Sequence, residues 1–474
     1  MVFSSITFLV YFLPVFLLAY HLTPNKFKNA CILLFSILFY AWGGPKFVFV
    51  ILGTTFLDFI FVNKMAEAKN SRSKKQWLVL SLCMNLGLLF YFKYCNFFID
   101  NINAILSPMG SKPIPWLKVV LPIGISFYTF ESVTYVVDVY RGIHKPLRNF
   151  WHYQTYILLF PKLIAGPIVR YHDIADQITN REKNYTTDVK LSGFYTFCIG
   201  LAKKVIIANT IGAQADAIFK LDISQIDTAA AWVGALAYTF QIYFDFSGYS
   251  DMAIGLGKIM GFRFPENFSN PYLSSSITEF WRRWHITLGT WMKNYLYIPL
   301  GGNKVSSSKL YRNLIIVFLL SGLWHGASWN YVIWGAFHGL FLVLERVFLL
   351  NVYNKTGKIV STLLTFIIVV TGWVYFRNEN LSYANHVVKA MYSFNFFDGK
   401  FALNNDFYFT LALACIFSFF ALIPATKKIQ TAVYGESHTQ TGHIALLSIS
   451  IALFYISLSY IAALDFNPFI YFRF

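Results

Sequence analysis

MVFSSITFLVYFLPVFLLAYHL, residues 1–22, contains no Asp, Glu, Lys or Arg. A helix of about 20 such residues crosses the hydrocarbon layer of a bilayer. The run has neither a basic n-region nor a small-x-small cleavage site, so it reads as a retained spanning helix and not as a signal peptide. Working outward, similar apolar runs begin near Val2, Ala30, Phe47, Trp77, Val119, Leu191, Ala230, Arg312, Val332, Ile359, Phe407 and Ile444. Tyr153–Ile168 and Ser275–Leu300 are apolar too, but Pro, Gly or charge breaks them. Such segments re-enter or lie flat where protein or water covers their backbone.

Composition agrees. Of 474 residues, 56% are hydrophobic, 19% aromatic and 13% charged, with mean hydropathy +0.51. A soluble domain carries about 25% charge. A β-barrel would show short alternating segments instead. The expectation is an all-α polytopic membrane protein with roughly 11 transmembrane helices plus re-entrant or partly embedded helices, taken as a single domain over 1–474.

The formal net charge of +17 would suggest nucleic acid in a soluble protein. Here the cations cluster in loops, at Lys26 and Lys28, Lys64–Lys75 and Arg141–Arg148. That is the pattern of the positive-inside rule, and it excludes a nucleic-acid role. Placing each basic loop in the cytoplasm puts the N-terminus outside. Cys31, Cys83, Cys95, Cys198 and Cys415 are scattered, with no CxxC or CxxH spacing, and read as small buried hydrophobes. Ala425–Gly442 reads as a polar, exposed loop, and the tail PFIYFRF (468–474) as an interfacial anchor.

Ionisable residues inside a membrane are functional candidates by default. Here they are Asp58, Glu131, Lys162, Lys203, Lys204, Asp245, Asp251, Arg282, Arg283, His285, His325 and His338, and most fall between residues 160 and 340. Two stretches stand out: FWRRWHITLGTWMKNYLYIPLGGN (280–303) and SGLWHGASWNYVIWGAFHG (321–339). Each places a histidine, His285 or His325, directly after a tryptophan. Histidine moves protons near neutral pH, and a neighbouring cation such as Arg282 keeps the imidazole neutral and ready to accept one. Gly322 and Gly326 flank Trp324-His325 and permit close approach of a backbone or ligand. Trp324, Trp329 and Trp334 offer flat walls for a tunnel. The competing readings are structural: satisfied core histidines, snorkelling arginines, and ion pairs in which Asp245 and Asp251 hold helices together. A metal site from His285, His325 and His338 lacks close ligand spacing. Gly255-x-Gly257-x-x-Met260 fails the dinucleotide pattern, and neither a phosphate loop nor a nucleophile elbow occurs. Histidines without an obvious nucleophilic Ser or Cys suit acylation of a hydroxyl from a thioester, with imidazole as general base.

These motifs resemble the membrane-bound O-acyltransferase (MBOAT) family, more narrowly its bacterial alginate O-acetylase branch. The resemblance is carried by LPIGISFYTFESVTYVVDVYRG (121–142), FPKLIAGPIVRYHDIADQ (160–177), AYTFQIYFDFSGYSDMAIGLGKIMGFRFPENF (237–268), ITEFWRRWHITLGTWMKNYLYIPLGGN (277–303) and GLWHGASWNYVIWGAFHG (322–339). It implies a ring of helices around a central tunnel, with a catalytic core at about 119–345. It implies His325 and His285 as the active-site histidines; Arg282, Trp284, Trp324, Asp245, Tyr249 and Asn294 stand beside them as candidate substrate- or donor-binding residues, and no metal and no permanently bound cofactor is expected. It further implies acetyl transfer from a cytoplasmic donor, acetyl-CoA, across the bacterial inner membrane to an extracytoplasmic polysaccharide of alginate type, with an SGNH-type partner protein outside. Peptidoglycan, cellulose or another envelope glycan, and D-alanyl transfer to teichoic acid, are alternative reactions. A polysaccharide-export channel or a scaffold is the alternative from another class. A transporter often shows paired inverted repeats, which the clustering of charge in one third of the chain does not suggest.

Overall fold

The computed structural model describes residues 1–396, 402–463 and Ile470. The chain packs as two compact units, Met1–Thr186 with Met260–Phe264, and Thr187–Ile259 with Pro265–Phe474. Among the described residues six helical stretches are long and apolar enough to cross a membrane: Pro45–Glu67, Ser71–Met109, Thr187–Ile218, Trp329–Arg377, Asn405–Leu422 and Gln440–Ala463. Thr7–Leu22 is a shorter apolar helix. The expected figure of roughly 11 spans also counted segments such as Thr228–Ile259 and Ser307–His325, which are helical but not among the six. All twelve candidate starts fall on or within a few residues of helices. The Val119 run begins its helix only at Ile125, after Gly124 in the left-handed region (φ 76°). There a Cβ would lie 2.6 Å from the Leu163 carbonyl oxygen. Ala425–Gly442 is not all loop, because Pro424–Val433 is helical. Pro424 presets the first turn, and Ala, Lys and Gln that follow are good helix formers. Apart from Ile470, the tail 468–474 lies outside the described residues.

In the first unit, phenylalanines pack the apolar helices together: Phe8, Phe12, Phe16 and Phe39 all surround Phe160. The intramembrane charges found in the sequence are paired there. Asp58 accepts hydrogen bonds from Ser81, Asn85 (2.8 Å) and Tyr153 (3.4 Å). Glu131 is ion-paired with Lys162, which also sits 4.7 Å over the Tyr156 ring. Buried polar groups persist in an apolar medium only when satisfied in this way.

In the second unit, glycine governs helix contact. Thr187–Ala202 runs against Thr228–Ile259 with almost no side chains between the backbones. A Cβ on Gly200 would lie 2.5 Å from the Gly248 carbonyl oxygen, and one on Gly248 would lie 2.6 Å from that of Gly200. Gly193 and Gly255, each seven residues away, repeat the relation at 2.7 and 2.5 Å. Membrane helices lack a hydrophobic drive to associate, so close backbone packing through small residues does that work. Gly322 and Gly335 join Ser307–His325 to Trp329–Leu344 in the same manner, each Cβ position lying within 2.3 Å of a carbonyl oxygen on the other helix.

Beside the first glycine joint, Lys204 pairs with Asp245 at 2.6 Å, both buried. Lys203 pairs with Asp251 at 2.6 Å and donates to the Tyr434 hydroxyl at 2.9 Å. Removing one partner of a buried ion pair leaves an uncompensated charge. Lys204→Met should therefore destabilise the protein by about 3–5 kcal/mol, and Lys204→Met with Asp245→Leu should recover most of the loss. Thermal unfolding in detergent reads both, and equal melting of wild type and single variant would refute the assignment.

Candidate active site

The site lies wholly within the second unit and is built on short, interrupted helices. Ser276 caps Ile277–Arg283, accepting the Glu279 N–H at 3.0 Å. The buried Glu345 carboxylate also faces that helix end, accepting the N–H groups of Ile277 and Thr278 and the Thr278 hydroxyl (2.6 Å). A carboxylate at a helix N-terminus meets unsatisfied donors and the positive end of the dipole. After Arg283 the chain turns extended at Trp284, which bridges Phe268. It then enters the left-handed region at His285 (φ 46°, ψ 53°) before Ile286–Trp291.

A non-glycine residue in that conformation costs about 1–2 kcal/mol. Asn267 holds the turn. Its carbonyl accepts the Ile286 N–H at 2.9 Å. Its side-chain oxygen accepts the Thr287 hydroxyl at 2.9 Å and the Thr287 N–H at 3.3 Å, and lies 3.1 Å from His285 Nδ1. His285 is 1% exposed, with its ring edge-on to Phe246 at 4.7 Å. Burial holds its imidazole below the ordinary pKa range, so it is neutral.

A cavity of about 460 Å³ opens onto His285. Among the described residues its cations are Arg282, Lys293 and Arg346, all with exposed side chains. Its apolar wall includes Leu314, Val317 and Phe318 on the Ser307–His325 helix, followed by Ser321. Those four positions form one helical stripe, and His325, four residues beyond Ser321, continues it by a turn. His325 ends that helix and is buried. Trp324 contacts both imidazoles, with ring centroids 4.9 Å from His325 and 6.1 Å from His285. Trp334 and Phe376 also pack edge-on against His325 at 5.2 and 5.1 Å.

The structure distinguishes the two arginines. Arg283 pairs with Glu279 at 2.7 Å, whereas Arg282 faces the cavity. Burial would raise the Glu279 carboxyl pKa, but hydrogen bonds from Ser275 and Arg283 hold it below its ordinary value. Other expected binding residues lie elsewhere. Trp284 is in an aromatic core against Trp373 (4.8 Å), Phe268 and Phe280. Asp245 is paired with Lys204 and accepts the Ile470 N–H at 2.9 Å. Tyr249 is buried within Thr228–Ile259. Asn294 lies in the π-helical turn Met292–Tyr297, whose neighbours Met292 and Lys293 line the cavity. His338 is packed among Trp281 (5.0 Å) and Trp334 (5.2 Å), and a Cβ on Gly372 would lie 2.7 Å from its Nε2. Sequence reasoning missed Asn267, Lys293 and Arg346. Asn267 stood inside the quoted FPENF segment, but nothing linked it to a histidine 18 residues away.

The profile of the membrane-bound O-acyltransferase family matches residues 143–384. The chain is 43% identical over 489 residues to Probable alginate O-acetylase AlgI of Pseudomonas putida, covering 100% of each chain. It is 48% identical over 395 residues to Probable alginate O-acetylase AlgI of Pseudomonas aeruginosa, covering 83% of this chain and 75% of that one. It is 36% identical over 428 residues to the peptidoglycan O-acetyltransferase of Helicobacter pylori, covering 83% and 80%. The protein is a multi-pass membrane enzyme that transfers acyl groups to oxygen. It belongs to the membrane-bound O-acyltransferase family.

Proposed function

We propose that the protein takes acetyl groups from acetyl-CoA in the cytoplasm and passes them across the inner membrane for O-acetylation of an alginate-type polysaccharide. In this reading the N-terminus is outside, and an SGNH-type protein completes the transfer to the polymer. The carrying observation is the cavity beside His285, where Arg282, Lys293 and Arg346 gather over an apolar wall. Guanidinium and ammonium groups suit the phosphates of a nucleotide thioester, and the apolar stripe suits its uncharged arm. The alginate assignment is supported by the names of the two Pseudomonas relatives.

The chemistry needs a proton carrier, and a second imidazole, His285, serves the reaction in its neutral form. His325 accepts the proton of the acceptor hydroxyl as its oxygen bonds to the thioester carbonyl carbon. The C–S bond breaks, and the imidazolium returns the proton to the departing thiolate. A buried imidazole at a helix end is suited to this task. His285, across Trp324, is the second active-site histidine.

The test uses purified full-length protein, labelled acetyl-CoA and a panel of acceptors with the candidate partner. Transfer to alginate oligosaccharides supports the reading, whereas transfer only to peptidoglycan fragments replaces the polymer with that suggested by the Helicobacter relative's name. With no donor consumed, the assignment of acetyl-CoA fails. Arg282→Ala should raise the donor KM more than it lowers kcat, and an unchanged KM would remove Arg282 from the donor site.

A further inference from the structure

The side-chain amide of Asn267 can be oriented from its partners. One of its terminal atoms lies 3.3 Å from the Thr287 backbone N–H, which can only donate, so that atom is the oxygen. The amide nitrogen then faces Ser250 Oγ at 3.0 Å and donates to it. The same oxygen lies 3.1 Å from His285 Nδ1. An amide oxygen cannot donate, so Nδ1 carries the hydrogen and Nε2 is the basic nitrogen. Asn267, Ser250, Thr287 and His285 are all at most 4% exposed, so water does not compete for these bonds. The Asn267 backbone is engaged as well, through the Ile286 N–H that follows the left-handed turn.

We propose that Asn267 is a positioning residue for acyl transfer, fixing His285 in its Nδ1–H tautomer and its turn so that Nε2 faces the reaction. This rests on the reading of His285 as an active-site group. The Asn267 oxygen at Nδ1 is what sets the tautomer. Phe246 and Ser250 of the Thr228–Ile259 helix are uncharged. The Ser307–His325 helix presents Trp324, with His325 behind it. Among the described residues, the charged side chains lining the cavity beside His285 are Arg282, Lys293 and Arg346, all cations, which disfavour a second proton on the ring.

The test measures donor turnover against pH for full-length protein in nanodiscs. Asn267→Leu should lower kcat by about 10- to 100-fold with little change in donor KM, by analogy with the scale seen when the partner orienting a metal-binding histidine is lost. Asn267→Asp keeps an accepting oxygen and adds a negative charge, which stabilises imidazolium. The base form then requires higher pH, so the acidic limb of the kcat/KM profile should move upward, with activity recovering above it. If the leucine variant does not accumulate, the aspartate profile decides alone. An unaltered kcat for Asn267→Leu, or an unmoved limb for Asn267→Asp, overturns the proposal. His285→Ala is measured alongside: wild-type turnover there would defeat the reading of His285 itself, a separate outcome.

Discussion

His325→Ala is expected to leave a folded protein whose acyl-transfer rate has fallen by about 10²–10⁴-fold, the contribution of a positioned general base. The imidazole ends its helix and is enclosed by Trp324, Trp334 and Phe376. Truncation removes a ring from a pocket whose walls are held by other contacts. Trp334 packs on His338 and Trp373, and Phe376 on Tyr331. Melting temperature and size-exclusion profile should therefore stay near wild type while single-turnover transfer collapses. Transfer at the wild-type rate would remove His325 as the base. A profile showing only aggregate would make its role structural.

Gly248→Val should disrupt the second unit. The reciprocal contact with Gly200 leaves a Cβ nowhere to go: the obstacles are the Gly200 carbonyl oxygen at 2.6 Å, the Lys204 backbone nitrogen at 3.0 Å and the Lys203 Cβ at 3.2 Å, not the far end of a flexible side chain. The helices must move apart, straining Lys203–Asp251 and Lys204–Asp245 beside the joint. Overpacking alone costs about 1–3 kcal/mol, and a broken buried ion pair about 3–5 more. Since whole proteins are stable by about 5–15 kcal/mol, we expect little or no monodisperse protein after detergent extraction. Gly87→Ala is the matched control, because a Cβ there meets nothing within 4 Å. Equal recovery of Gly248→Val and wild type would show that the joint can open without penalty.

The helices were largely legible because a bilayer demands long apolar runs, and the runs starting at Phe47, Trp77 and Ile444 become Pro45–Glu67, Ser71–Leu106 and Gln440–Ala463. An ion pair at Asp245 was one of the readings the sequence offered, but its partner, Lys204, was not. Charge in an apolar stretch marks a need for a partner, but not whether that partner is substrate or another helix. Trp284 illustrates the same limit, since its neighbour His285 reaches the cavity while Trp284 turns into an aromatic core. Lys293 and Arg346 were illegible for the opposite reason. As exposed cations near helix ends they look like ordinary snorkelling residues, and only the folding of Met292–Tyr297 and Glu345–Leu349 toward one cavity separates them from the rest. Asn267 acts through a turn, and turns carry no periodicity from which a contact could be inferred.

Glu345 and Arg346 are adjacent, yet they do different jobs: the carboxylate clasps the start of the helix that carries Arg282, and the guanidinium lines the cavity. Anyone retuning donor preference thus has unequal handles. Arg282 and Lys293 can be exchanged on exposed turns with little collateral, whereas backbone movement at 346 tugs on a latch one bond away. Libraries aimed at new acyl donors should vary the first two freely and sample position 346 only with Glu345 and Thr278 kept intact.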